Sequence, residues 1–96
     1  MRYFHRTSAT PDAVLAHAKA FFGARLAPAD EAPRRRTYTG ALGRVTIGAR
    51  AEGGHYTLVE VSTDQLGESE LDRLAKRFLA EIHQQVEPTH ELRGAY

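Results

Sequence analysis

The chain has 96 residues, 42% of them hydrophobic and 26% charged, with no cysteine and a formal net charge of +1. That length suits one compact domain. The lack of cysteine excludes a disulfide framework, thiolate catalysis and cysteine-held zinc or iron–sulfur centres, and no apolar run approaches the ~18 residues of a membrane-spanning helix.

The charge is unevenly spread. Residues 1–63 hold nine Lys/Arg and five Asp/Glu, a net +4, whereas residues 64–96 hold four and seven, a net −3. A basic front and an acidic back can steer a polyanion or pair one protomer with another. The opening residues Met1-Arg2-Tyr3-Phe4-His5-Arg6 contain no apolar signal-peptide core, so the expected setting is cytoplasmic.

Residues 2–7 read as a short strand. Thr10-Pro11-Asp12 then opens a helix: Thr10 can cap it, Pro11 suits a first position whose N–H has no partner, and Asp12 favours the positive end of the dipole. Val14, Leu15, Ala18, Phe21, Phe22 and Leu26 follow the three-and-four spacing of a one-sided helix, which Ala27-Pro28 is expected to end. Residues 28–33 read as a loop.

Three strands are expected next, at about 34–41, 43–51 and 55–63. The second alternates most cleanly, with Val45, Ile47 and Ala49 on one face and Arg44, Thr46, Gly48 and Arg50 on the other. Gly40 or Gly43 shapes the first hairpin, and Glu52-Gly53-Gly54 the second. A last helix is predicted over roughly 68–86. Its apolar stripe is Leu71, Leu74, Ala75, Phe78, Leu79, Ile82 and Val86, and Ser69 with Asp72 forms a capping box using Asp in place of Glu. Glu70 with Arg73 and Asp72 with Lys76 describe a solvated helix face. Pro88 stops the helix, and residues 87–96 are expected to be a flexible tail after a single domain over 1–86.

The expected fold is therefore α+β: a two-layer sandwich in the order β-α-β-β-β-α, with a four-stranded, mostly antiparallel sheet and two helices on one face. In this element order, over residues 2–86, the chain resembles small domains of the helix-grip or TBP-like type. The resemblance implies a fold and brings no site residues with it.

A sheet covered on one side raises the question of what meets the other. Val59 and Val61 belong to the covered face, so Tyr56 and Leu58 fall on the open one, and Tyr38 from a neighbouring strand is expected to join them. Arg36, Arg44 and Arg50 could share that surface with Arg2 or Arg6. These charges keep a strand soluble and guard against edge-to-edge pairing. With stacking aromatics they could also meet nucleic acid, but a sequence pI of about 8.2 is weak for that role. The candidate partner face is thus Tyr38, Tyr56, Leu58, Arg36, Arg44 and Arg50.

No catalytic or metal-binding constellation stands out. His5, His17, His55, His83 and His90 show no HxH or HExxH spacing, and His17 and His83 read as surface residues of their helices. His5 and His55 could meet on adjacent strands near Glu52 or Glu60. Ser8, Ser62 and Ser69 are explained by a turn, a strand and a cap, and Gly53-Gly54 joins strands and precedes no helix, so it is not a phosphate loop. No cofactor is implied. The expected function is a non-catalytic interaction module, homodimerising through the open sheet face or an edge strand. The alternative is a small apolar ligand held between the C-terminal helix and the sheet, and weak nucleic-acid binding comes third.

Overall fold

The computed structural model describes residues 1–86, with the last two of these described by backbone alone. The expectation for residues 87–96 lies outside the described residues. The elements run β1 (Arg2–Thr7), α1 (Pro11–Gly23), β2 (Ala27–Ala32), β3 (Arg35–Gly40), β4 (Gly43–Glu52), β5 (Tyr56–Thr63) and α2 (Glu70–Val86). They form an α+β domain with one antiparallel sheet in the strand order β1-β5-β4-β3-β2.

Helix α1 begins as the local signals dictate. Thr10 is the N-cap, its Oγ1 accepts from the Ala13 N–H at 3.1 Å, and Pro11 occupies the first helical position. It ends earlier than the apolar spacing predicts. The N–H groups of Arg25 and Leu26 both turn back to the Phe22 carbonyl, at 3.0 and 2.7 Å, and the Arg25 guanidinium donates to the Phe21 carbonyl at 2.6 Å. These bonds satisfy the carbonyls that a helix end leaves open. Leu26 still reaches the core, from the connecting turn.

The sheet has five strands, not the expected four. Residues 28–33 read as a loop because Pro28, Asp30 and Glu31 are poor strand formers, yet Ala27–Ala32 is a strand. It lies at the rim of the sheet, where a proline loses no ladder bond. The strand pairs with β3 through a register shift between Pro28 and Asp30, which takes up the irregularity.

Both helices pack on the same side. Val14, Leu15, Ala18, Phe21 and Phe22 of α1 join Leu71, Ala75, Phe78 and Ile82 of α2 in a single cluster with Val45, Ile47 and Ala49 of β4 and Val59 and Val61 of β5. Phe78 knits the helices together, with ring centroids 5.2 Å from Phe22 and 5.7 Å from Phe21. Edge-on and tilted ring pairs at such distances add to area burial. The side chain of His17, expected at the surface, is largely covered instead: it sits 5.6 Å from the Phe78 ring, and its Nε2 lies 3.1 Å from Glu81 Oε1 on α2.

Asp72 also departs from the solvated-face expectation, for it is fully buried. The capping box forms: the Asp72 N–H donates to Ser69 Oγ at 3.0 Å and the Ser69 hydroxyl donates to Asp72 Oδ2 at 2.6 Å. The same carboxylate accepts from Thr63 Oγ1 at 2.8 Å, Tyr3 Oη at 3.0 Å and the Gly67 N–H at 3.1 Å. A charged cap at the positive helix end thereby ties α2 to β1 and β5.

Candidate functional site

The uncovered side of the sheet follows from alternation and register. With Val45, Ile47 and Ala49 turned to the helices, Arg44, Thr46, Gly48 and Arg50 of β4 turn the other way. Pairing then carries each row across the sheet. Gly48 lies between Arg35 of β3 and Glu60 of β5, and Glu60 in turn faces Phe4 of β1. Arg50 faces Leu58, and Leu58 faces Arg6. Thr46 lies between Thr37 and Ser62, with Arg2 beyond.

Two kinds of surface result. One is a diagonal apolar line of Phe4, Leu58 and Tyr56 across β1 and β5, in which Phe4 and Tyr56 are each 56% exposed. Ion pairs flank it: Arg6 Nε to Glu52 Oε1 at 2.7 Å and Arg2 Nε to Glu60 Oε2 at 3.4 Å. The other is a hollow of about 350 Å³ over β3 and β4, lined by Ala32, Arg35, Gly48, Arg50, Leu58 and Glu60 among others. Beside it the Thr37 and Thr46 hydroxyls share a hydrogen bond at 3.1 Å.

Of the residues expected on this face, Tyr56, Leu58, Arg44 and Arg50 are there. Tyr38 and Arg36 are not. Tyr38 pairs with Val45 and is 3% exposed, stacked on Phe22 with centroids 6.1 Å apart, and burial raises its phenol pKa. Arg36 pairs with Ile47 on the helix side. Its guanidinium donates to the Ala32 and Arg35 carbonyls and pairs with Glu31 at 3.4 Å.

The reason for both corrections is the length of one turn. Ala41 and Leu42 alone separate Gly40 from Gly43, which pair directly. A two-residue turn puts even-numbered residues of β3 opposite odd-numbered residues of β4, and directly paired residues share a face. Arg35, which sequence reasoning did not single out, takes its place on the open face by the same rule, opposite Gly48, which the alternation of β4 already sets there. Phe4 joins them through a different register, that of β1 on β5, in which it pairs with Glu60.

The possible His5–His55 meeting does not occur. His5 pairs with Val59 on the helix-facing side, its ring edge-on to His83 at 5.9 Å, while His55 lies in the turn before β5. Among the described residues no group of three His, Asp or Glu is gathered in a way that could hold a metal ion. No described helix is long and apolar enough to cross a membrane.

Comparison with known proteins assigns no family: no family model, curated protein or solved structure matches the chain. Function has to be argued from the open face itself.

Proposed function

We propose that this chain is a non-catalytic interaction module that associates with a second copy of itself through the open sheet face. The observation that carries the reading is the apolar line Phe4–Leu58–Tyr56 on a sheet whose other face is covered by both helices. Exposed aromatics on a rigid sheet are the usual anchors of an interface. The flanking charges support self-association over a polyanion partner. Arg2 and Arg6 alternate with Glu60 and Glu52 along the line, so a two-fold axis can set acid against base, whereas phosphates would meet both signs.

A ligand between α2 and the sheet finds less support, because Leu71, Ala75, Phe78 and Ile82 fill that space and are at most 2% exposed. A cysteine-free chain needs no oxidising compartment, and we read its setting as cytoplasmic.

Light scattering across roughly 10–300 µM, a range that brackets moderate affinities, tests the reading. The expected mass approaches twice 10.6 kDa, and the variant Phe4→Glu/Tyr56→Glu stays at the single-chain mass with its melting temperature kept. A parent chain that remains monomeric throughout, or a dimer indifferent to the double variant, sinks it.

A further inference from the structure

Gly48 sits in the middle of β4, and β4 lies inside the sheet between β5 and β3. A glycine within a strand is destabilising relative to alanine, so it needs a reason. The backbone does not supply one. Gly48 does not have the positive φ of Gly43, and a methyl group built on it would meet only the Arg34 carbonyl oxygen, at an ordinary 3.8 Å. What its missing side chain does create is the floor of the 350 Å³ hollow.

The charges around that hollow are unevenly satisfied. Arg34 pairs with Asp12 at 2.8 Å, and Glu60 with Arg2 at 3.4 Å. Among the described residues, no carboxylate pairs with Arg35 or Arg50. Protection of a bare edge does not explain these two arginines, because β3 and β4 are interior strands.

We propose that the hollow over Gly48 binds a small organic anion, a carboxylate or phosphate monoester head on an apolar body. Arg35 faces Gly48, and Arg50 stands two residues further along the same face, so their stems are diagonal neighbours roughly 7–8 Å apart. From there two planar guanidinium forks can converge on one head group and match its oxygens in pairs. Leu58 and Ala32 offer the apolar wall for the body. The volume lies at the lower end of the ~300–1,000 Å³ typical of small-molecule sites. Glu60, already engaged by Arg2, stands on the far side of Gly48 from Arg35 and selects against a ligand with a second anionic end.

The inference goes beyond self-association and is read by a different signal. Amide chemical shifts of the isotopically labelled full chain are followed on adding phenyl phosphate or 4-phenylbutyrate, with inorganic phosphate and oligothymidylate in parallel. The expected result is saturable shifts at Arg35, Gly48, Arg50 and Leu58 with at least one organic anion, at a Kd of about 1 mM or tighter. Gly48→Val fills the floor while suiting a strand, and weakens binding at least about tenfold with the fold retained. Arg35→Gln/Arg50→Gln weakens it equally, and decides the matter if the valine variant fails to fold. The proposal is overturned by a lack of saturation, by shifts confined to other regions or by unchanged affinity in the variants. Equal affinity for inorganic phosphate also overturns it, as does a preference for oligothymidylate. Light scattering on the same samples reports dimerisation separately, so either reading can fail alone.

Discussion

The Tyr3 hydroxyl donates to Asp72 Oδ1 at 3.0 Å, joining the first strand to the last helix across 69 positions of chain. Tyr3 belongs to the rim strand β1, and Asp72 lies in the first turn of α2, so one bond fixes the two elements on each other. Tyr3→Phe is expected to lose about 1 kcal/mol, the net value of one such bond. Asp72→Ala is expected to lose about 3 kcal/mol, because it removes the carboxylate from the first turn of α2 and strands the hydroxyls of Tyr3, Thr63 and Ser69, although the backbone N–H at position 72 can still reach Ser69 Oγ. Urea denaturation at neutral pH measures both, and a smaller loss from Asp72→Ala than from Tyr3→Phe would contradict this account of the network.

Acid should unlock the same joint. Burial alone would raise the Asp72 pKa, but hydrogen bonds from Ser69, Thr63 and Tyr3 outweigh it and bring the value down to about 2. A carboxylate depressed by folding stabilises the native state above its ordinary pKa near 4, and that stability drains away as pH falls toward 2. The contribution is about 2 kcal/mol. Asp72→Asn, which cannot titrate, should therefore differ most from the parent at pH 5 and much less at pH 2.5. A constant difference across that range would show that the carboxylate's charge is not what matters.

His5 predicts a second, milder slope. Desolvation first, then the neighbouring His83, lowers its pKa, and its Nε2 is buried with no hydrogen-bond partner among the described residues. The native state thus favours the neutral ring. That preference stabilises fully above the ordinary histidine pKa of about 6.5 and is lost as pH falls from there through the lowered native-state value. His5→Leu should flatten the stability profile between pH 7 and 5, measured by thermal melts, and a profile unchanged by the substitution would assign the slope elsewhere.

Tyr38 and Tyr56 lie on opposite faces of the sheet and should separate sharply on substitution. Tyr38 is packed on Phe22 in the core, and Tyr38→Ala should cost about 3–5 kcal/mol, as large aromatic truncations do. Tyr56→Ala should change stability by no more than about 0.5 kcal/mol. Comparable melting-temperature losses from the two would refute the assignment of faces.

Glycines 43 and 48 stand at the start and in the middle of β4 and should also behave oppositely. Gly43 has φ of 127°, and a methyl group there would come within 2.6 Å of Asp64 Oδ1 and 3.2 Å of Leu71 Cδ2. Gly43→Ala should cost about 1–3 kcal/mol through backbone strain and crowding. Gly48→Ala should be neutral or stabilise by up to about 1 kcal/mol. A destabilising Gly48→Ala would mean that the hollow's floor is a backbone requirement after all.

What could be read from the chain was whatever depends on near neighbours. The cap of Thr10 and Pro11, the alternation of Val45, Ile47 and Ala49, and the stripe from Leu71 to Ile82 are each set within a few residues, where propensity and periodicity act. Three features required pairing with other elements of the fold. Pro28, Asp30 and Glu31 form a strand because β3 offers them a hydrogen-bonding edge, although their own preference is for a loop. Tyr38 faces the helices because the two-residue turn at Ala41-Leu42 sets its register against Val45, and a slip of one residue would reverse its side. Asp72 is buried because Tyr3, Thr63 and Gly67 converge on it from other elements, and no local pattern foretells that convergence. The open face depends on both levels: its alternation is local, but which arginines gather around Gly48 is decided by strand order and register.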